Sequence, residues 1–558
     1  MRLNKLFAIQ EPFYVLGISM LLQYALLMLT PIIGLMLNIP IGFWHFPFSM
    51  GLFFVANGIF QTKVNGLNKW QSIAMSCLSS ALLFIAFAYA SMYHETCFDA
   101  IWYHHDAVYL LAKGWNPFYE NLLPEQTAYC QYYLNHFPIG HWAYGAVVYA
   151  YSQHIEWAKG IALYSTIFTA FILSGGLLQQ LFKGNKIFLV FIGILIALNP
   201  LALLNFTTFY VDGILANILS LAILFWLMVC KTPQLRFWVP AFILTCLLAY
   251  LKLTGTAFSI LLLAVTACYL IITQKKQRIK WFLRFGLFSV VVYVVIGFHP
   301  FVSNYLHKGH PFFPAVPNSE INFFAESNYP QNFIGKNRFE KFGMALFSKP
   351  GWWRTPESSQ YKKPFEIVSD ACYAYGFPDI GAMGTLFPEL LCASLLLFVI
   401  ALFKTAEKQM RWKWLLGLLL FLGSVFINQE AWIFRYIPHL WLICILLLIY
   451  SWQIVYLRII VAIVLIGLFA NGMLLFRESL MGQSKQTTSL NQTLEQLKHH
   501  EKEYHIDFGW AQSFKYRLAE QGLDTSQLTW ISPTDTPYFT IPGSLGGKFK
   551  PKEALQQK

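Results

Sequence analysis

The chain has 558 residues, of which 56% are hydrophobic and only 12% are charged, against about a quarter charged in an ordinary soluble domain. This composition excludes a water-soluble fold. The formal net charge of +13 comes from short basic runs between apolar stretches, so we interpret it as a signal of membrane topology and expect no nucleic-acid partner.

Apolar stretches long enough to cross a bilayer, which takes about twenty residues, follow one another along the chain. They begin near positions 13, 43, 73, 160, 187, 213, 237, 254, 281, 385, 414, 437 and 459. The sequence therefore predicts an all-α polytopic membrane protein with about 13 transmembrane helices, long outer loops and a small C-terminal outer domain. We divide it into two extra N-terminal spans (1–72), a main transmembrane module (73–476) and a soluble outer tail (477–558).

The orientation follows from basic residues that recur in alternate loops, beginning with Arg2 and Lys5 and continuing with Lys63. Because Lys and Arg are enriched in cytoplasmic loops, we expect an integral protein of the inner or plasma membrane with its N-terminus cytoplasmic and its C-terminus outside. The outer side then receives the loops of residues 91–159 and 300–384. Within the first loop, residues 139–152 would reverse this pattern as a full crossing, so we predict an outer-leaflet or re-entrant helix covered by protein or a cavity.

The first long loop contains the first candidate site. If Asp99–Leu111 is helical, then Asp99, Tyr103 and Asp106 lie on one face, and a partly desolvated carboxylate there can act as a base toward a hydroxyl. The alternative is a solvated interfacial helix with ordinary acids. Six histidines in or beside the loop raise the question of a metal, but their spacing matches no known metal motif, so we expect hydrogen-bonding interfacial histidines: His94, His104, His105, His136, His141 and His154.

Three further charged residues fall at the outer ends of predicted spans. Asp212 is expected to be functional because ionisable residues at the membrane are costly, although it could instead cap the helix that begins at Gly213. Lys252 and Arg435 lie on the side where the positive-inside bias gives them no topological role, and such cations suit a lipid phosphate. The alternatives are snorkelling for Lys252 and a salt bridge to Glu430 for Arg435.

The order of these segments, and their common side, resemble the GT-C membrane glycosyltransferases, which take sugars from polyprenyl-phosphate or polyprenyl-pyrophosphate carriers. The resemblance covers about residues 73–476. The matching segments are Phe98-Asp99-Ala100 with Tyr103-His104, Asn135-His136-Phe137-Pro138, Tyr210-Val211-Asp212-Gly213, Lys252-Leu253-Thr254-Gly255, Gly309-His310-Pro311-Phe312-Phe313-Pro314, and Arg435-Tyr436 followed by Pro438.

The resemblance implies that Asp99 is the catalytic base, that Asp212 supports it, and that Arg435 holds the carrier phosphate. A sugar would pass with inversion from a polyprenyl-phosphate-type carrier to a hydroxyl of a glycan or glycolipid acceptor. Two features depart from the family: the extra N-terminal spans, and the lack of a clean DxD pair, which leaves the need for a divalent metal open. The remaining candidate substrate-binding residues are Tyr103, His104, Asp106 and Lys252.

Other functions fit parts of the same pattern. A transporter or flippase of a lipid-linked sugar would use the same cations and cavity without a base. Long outer loops and acids concentrated on one side argue against it, as does the lack of an inverted repeat. An oligosaccharide ligase or polymerase would act on preassembled glycans, and a structural membrane subunit would need none of these residues.

Overall fold

The computed structural model of the chain describes residues 11–124, 127, 130–295, 297–316, 329–352, 357–369, 373, 378–499, 504–507, 513–522, 539–540 and 548–551. Helices dominate these residues, and seven of them are long and apolar enough to cross a membrane. The protein is therefore a helical membrane protein, as the composition predicts. The seven candidate spans are Pro12–Met36, Lys69–Ala90, Ile155–Leu181, Asp212–Lys231, Leu253–Ile272, Phe387–Lys404 and Val455–Glu495.

The N-terminal part contains α1 (Glu11–Met36), α2 (His45–Lys63) and α3 (Lys69–Ala90). Polar side chains join these helices inside the apolar region: Ser79 donates a hydrogen bond to Gln23 Oε1 at 2.6 Å, and Gln61 donates one to Ser19 at 3.0 Å. Interhelical hydrogen bonds of this kind hold helices together in lipid. The predicted extra N-terminal segment is thus packed onto the rest of the protein, since α1 also contacts the helices α6 and α7 described below.

The first loop contains a π-helical turn (Ala100–His104), α4 (His105–Ala112), α5 (Gln131–Leu134) and α6 (Gly140–Ser152). With 13 residues, α6 is about 20 Å long, too short for a hydrocarbon core of about 30 Å. This length agrees with the prediction of an outer-leaflet or re-entrant helix. Gly140, the first residue of α6, allows this helix to pack closely against its neighbours. A Cβ at this position would lie only 2.7 Å from the Tyr250 carbonyl oxygen and 2.9 Å from Met28 Sδ.

The central helices contribute a large share of the buried core. They are α7 (Gly160–Ile172), which continues through a π turn (Leu173–Leu177) into α8 (Leu178–Leu181), then α9 (Lys186–Ala197), α10 (Pro200–Leu204), α11 (Asp212–Lys231), α12 (Leu235–Leu251), α13 (Leu253–Ile272) and α14 (Lys276–Val295). Helices α11, α12 and α13 pack against one another. Lys252, between α12 and α13, has extended backbone with φ −162° and ψ 152°, so the chain turns sharply at this residue.

The next part of the chain begins with a third π turn (Phe298–Val302). It contains α15 (Ser303–Lys308), α16 (Arg338–Leu346), α17 (Phe387–Lys404), α18 (Lys408–Phe426), α19 (Leu440–Ser451) and α20 (Arg458–His499). A helix lies at each of the positions where the sequence predicts a span, and three of these helices are apolar but shorter: Lys186–Ala197, Leu235–Leu251 and Leu440–Ser451. The number of thirteen crossings stays a prediction.

The C-terminal tail differs from the rest in secondary structure. Helix α20 runs without a break through the predicted start of the tail at residue 477. Three short strands follow, β1 (Tyr504–Asp507), β2 (Phe539–Thr540) and β3 (Lys548–Pro551), which form an antiparallel sheet in the order β1-β3-β2. The short helix α21 (Phe514–Glu520) lies between β1 and β2 in the chain. The predicted all-α class therefore omits a small sheet in the tail.

Candidate active site

Arg435 lies between two carboxylates that come from different loops. Its Nη1 is 3.2 Å from Asp99 Oδ2, and its Nε is 3.1 Å from Asp379 Oδ1. The Arg435 side chain is only 12% exposed. Burial opposes its positive charge, but the two carboxylates and nearby tyrosines outweigh burial and raise the pKa of Arg435 well above its usual value. A permanent cation is therefore held next to the candidate base.

Lys252 and Asp212 form a second ion pair, in which Lys252 is partly exposed. Lys252 Nζ donates a hydrogen bond to Asp212 Oδ1 at 2.6 Å, and the Asp212 side chain is fully buried. This contact contradicts the snorkelling alternative for Lys252. The capping alternative for Asp212 is also wrong, because α11 begins at Asp212 itself and the Gly213 N–H donates to Asn205 Oδ1 at 2.9 Å.

Two tyrosines lie beside these ion pairs: Tyr436 contacts both cations, and Tyr210 contacts Arg435. The ring centroid of Tyr436 lies 5.4 Å from Arg435 Cζ and 5.3 Å from Lys252 Nζ, distances typical of cation–π contacts. Arg435 Nη1 also lies 3.4 Å from the Tyr210 hydroxyl oxygen. Burial raises the pKa of Tyr436 to about 12 and that of Tyr210 well above its ordinary value. Both hydroxyls thus stay protonated and can donate hydrogen bonds to an anionic group.

Tyr103 and His104 lie beside these charges. The Tyr103 ring stacks on Tyr133 at 4.7 Å between centroids, and burial and the charge of Asp99 raise its pKa well above the usual value. His104 Nδ1 accepts a hydrogen bond from Trp142 Nε1 at 2.6 Å. An indole nitrogen is only a donor, so His104 Nδ1 carries no proton. Burial lowers the pKa of His104 well below its ordinary value, and the imidazole is neutral.

The Asp106 side chain faces Cys130 and the C-terminal tail and not Arg435. The predicted regular helix is interrupted by the π turn Ala100–His104, which adds one residue to a turn and rotates the following residues away from the face of Asp99. The prediction that Asp106 shares this face is therefore wrong. Its Oδ2 lies 3.9 Å from Cys130 Sγ, and Ser513 of the tail donates to it. Burial, which outweighs the nearby Lys515 and these hydrogen bonds, raises the pKa of Asp106 to about 7.

The salt bridge considered between Arg435 and Glu430 is replaced by other contacts. Glu430 accepts hydrogen bonds from the Tyr329 hydroxyl at 2.8 Å and from Trp432 Nε1 at 2.5 Å. Arg435 pairs with Asp379 instead, a residue that the sequence reasoning missed. A signal for it existed, since Asp379 shortly precedes the apolar run that becomes α17, just as Asp212 begins α11.

Glu95 is a second missed residue, and it connects the loops that present Asp99 and Asp212. Its carboxylate is fully buried and accepts hydrogen bonds from the backbone N–H groups of Thr96 at 3.0 Å, of Cys97 at 2.9 Å and of Phe209. Burial raises the pKa of Glu95. Because Phe209 precedes Asp212 by three positions, one side chain fixes the relative placement of both acid loops.

The histidines of the first loop make hydrogen bonds and ring contacts. His136 Nδ1 lies 2.7 Å from Asn304 Oδ1, His94 Nε2 lies 2.7 Å from Asn491 Oδ1, and His141 stacks on Phe209. Across the described part of the chain, no group of three or more His, Cys, Asp or Glu side chains is placed to hold a metal ion. The carboxylates of Asp99 and Asp212 each face a protein cation instead.

The contacts bring Asp99, Asp212, Lys252 and Arg435 together in one cluster at adjoining helix ends. Fold and site together define a helical membrane protein with a partly buried cluster of paired charges at one end of its spans. Comparison of the chain with protein-family models, with curated proteins and with solved structures finds no match in any of the three.

Proposed function

We propose that the protein is a GT-C-type membrane glycosyltransferase that moves a sugar from a polyprenyl-phosphate-type carrier to a hydroxyl of a glycan or glycolipid. The observation that carries this proposal is the position of Arg435, which lies 3.2 Å from the candidate base Asp99 and shares the Tyr436 ring with Lys252. A base and two cations able to bind a phosphate, within one partly buried cluster, suit displacement of a phosphate from a sugar.

In the proposed reaction, Asp99 accepts the proton of the acceptor hydroxyl while the hydroxyl oxygen forms a bond to the anomeric carbon. The bond between that carbon and the carrier phosphate oxygen breaks, and the phosphate keeps the electron pair. The negative charge on the leaving phosphate is stabilised by Arg435 and Lys252, which are already in place before the reaction. Attack opposite to the leaving group inverts the configuration of the sugar.

The guanidinium of Arg435 couples phosphate binding to the availability of the Asp99 carboxylate as a base. A phosphate that takes the Nη1 hydrogen of Arg435 competes with Asp99 for it, because guanidinium and carboxylate or phosphate bind through the same planar N–H groups. Donor binding would thereby release an Asp99 oxygen toward the acceptor, while Asp379 keeps the guanidinium oriented.

The membrane placement belongs to the same proposal. The site would face the outer side of an inner or plasma membrane, with the N-terminus cytoplasmic and the C-terminus outside, and the isoprenoid tail would lie between spans. Support for this orientation comes from the basic residues of alternate loops, such as Lys63 and Lys183.

The test compares Asp99→Asn with Asp106→Asn, a change in the same loop at a carboxylate that faces Cys130 and the tail. Purified proteins receive a panel of labelled polyprenyl-phosphate sugars with extracted membrane glycolipids, and binding of farnesyl phosphate is measured separately. Loss of a general base lowers turnover by about 10²- to 10⁴-fold. We expect this loss, with intact farnesyl phosphate binding, for Asp99→Asn and a much smaller effect for Asp106→Asn.

Normal transfer by Asp99→Asn would refute its role as base. Movement of the labelled lipid across liposome membranes without any sugar transfer by the wild-type protein would favour a flippase instead.

A further inference from the structure

A short segment of the C-terminal tail, residues 513–522, lies against the first loop. Ser513 Oγ donates a hydrogen bond to the Ile101 carbonyl oxygen at 2.9 Å, within the π turn that follows Asp99. The Tyr109 hydroxyl donates to Glu520 Oε1 at 2.8 Å. The segment thus contacts both ends of the helical part of the loop, although more than 400 residues of chain separate them.

Arg517 is the most deeply buried charge of this segment, with its side chain 4% exposed. Its Nη2 lies 2.5 Å from Glu156 Oε1, and its Nη1 donates to the Glu95 carbonyl oxygen at 3.0 Å. The Glu156 carboxylate in turn accepts the Glu95 N–H at 3.1 Å and pairs with Lys159 at 2.7 Å. Both backbone polar groups of Glu95 are therefore held by the Arg517–Glu156 pair.

The Glu95 side chain extends this series of contacts to the candidate active site. Its carboxylate binds the N–H groups of Thr96 and Cys97, just before Asp99, and that of Phe209, just before Asp212. Arg517, Glu156 and Glu95 therefore form one continuous series of contacts from the tail to both acid loops.

We propose that residues 513–522 position the loops that carry Asp99 and Asp212, and that Arg517 is the main positioning residue. This inference rests on the proposed function for its catalytic consequence, but not for its structural one. A guanidinium suits the task because its planar fork reaches Glu156 and the Glu95 carbonyl at once, whereas the ammonium of a lysine is a single point charge. A misplacement of about 1 Å at a reacting group can cost about 10²-fold in rate.

The experiment uses the full-length protein with Arg517→Met, which keeps the apolar stem, and Arg517→Lys, which keeps the charge. Lys485→Met, at an exposed position of α20, is the matched control. Amide hydrogen exchange is measured over residues 95–112 and 207–212, with the spans α11 and α12 as internal reference. Turnover of a polyprenyl-phosphate sugar and affinity for farnesyl phosphate are measured on the same samples.

We expect Arg517→Met to speed exchange in both acid loops, to leave the spans unchanged, and to lower turnover by about 10- to 100-fold with unchanged farnesyl phosphate affinity. Arg517→Lys should fall between Met and wild type, and Lys485→Met should match wild type.

Unchanged exchange in the acid loops of Arg517→Met would overturn the inference whatever the activity. Faster exchange throughout the spans, or equal losses of turnover and affinity, would overturn it in favour of a general folding defect. If the wild-type protein transfers no sugar while the exchange result holds, the proposed function fails and the positioning contact stands.

Discussion

Arg435 Nη1 lies 3.2 Å from Asp99 Oδ2, although the two residues are 336 positions apart in the chain. The same guanidinium is paired with Asp379. In a site for a phosphate-linked sugar, the cation that would bind the phosphate thus neutralises the base until the donor arrives. This relationship makes the guanidinium shape, and not only its charge, important.

The first prediction concerns Arg435→Lys and Arg435→Met. A lysine cannot hold Asp99 and Asp379 together and still bind a phosphate, because it lacks the planar fork. Hydrogen bonds to charged groups contribute about 1.5–3 kcal/mol each, roughly a 10- to 100-fold change in affinity. We expect calorimetry with farnesyl phosphate to show a loss of this size for Arg435→Met and a smaller one for Arg435→Lys.

Arg477→Met is the control for this series, because Arg477 is exposed on α20. Equal farnesyl phosphate affinity in Arg435→Met and Arg477→Met would exclude Arg435 from phosphate binding.

The second prediction concerns the pair of Lys252 and Asp212. Removing one partner of a buried ion pair leaves an uncompensated charge and costs about 3–5 kcal/mol, whereas replacing both partners costs much less. We expect Lys252→Met to lower the free energy of unfolding in detergent micelles by this amount. The double variant Lys252→Met with Asp212→Asn should recover more than half of the loss, and additive losses would show that the two residues do not interact.

The fold was predictable where one physical signal dominates. Long apolar runs have one stable structure in lipid, the helix, and helices lie at all the predicted positions. The continuation of α20 beyond residue 477 was not predictable from apolarity, because the sequence there becomes polar. Among its described side chains the buried residues include Ser479, Gln483, Thr487 and Thr493, and the only buried apolar ones are Leu490 and Leu494. The tail sheet was missed because its strands are only two to four residues long.

The site was predictable where a charge stands out against an apolar background. Asp212, Lys252 and Arg435 were found in this way, and the structure joins them. Asp106 was misplaced because a π turn has no simple sequence pattern and shifts the helical face. The contact of Glu95 with Phe209 could not be predicted, since it joins a side chain to a backbone group 114 positions away in the chain.

The third prediction concerns pH. Burial raises the pKa of Asp106 from 3.8 to about 7 and that of Glu520 from 4.5 to about 7, so the folded state binds both protons more tightly than the unfolded chain does. The stability that these protons confer is complete below about pH 4 and is lost as the pH rises through about 7. We expect the docking of residues 513–522 to weaken over the upper part of this range.

Hydrogen exchange of residues 513–522 at about pH 6 and about pH 8, corrected for the intrinsic rate, measures this effect. The groups that face the two acids are Lys515, Ser513 and Cys130 for Asp106, and Tyr109, Arg517 and Glu156 for Glu520. The combined variant Asp106→Asn with Glu520→Gln should lose the pH dependence. The same dependence in variant and wild type would show that other groups cause it.

The fourth prediction concerns the proton of His104. Because Trp142 Nε1 donates to His104 Nδ1 at 2.6 Å, the neutral ring carries its proton on Nε2 and can donate only from that atom. A glutamine places its amide nitrogen near the position of Nε2, whereas an asparagine reaches only the position of Nδ1. We therefore expect His104→Gln to retain clearly more sugar transfer than His104→Asn, measured with the same labelled donor.

Nitrogen-15 NMR of labelled histidine should show the Nε2–H tautomer in the wild type and a mixture in Trp142→Phe. Equal activity of the two amide variants would exclude a role of Nε2 as donor in the reaction, and an unchanged tautomer in Trp142→Phe would show that Trp142 does not set it.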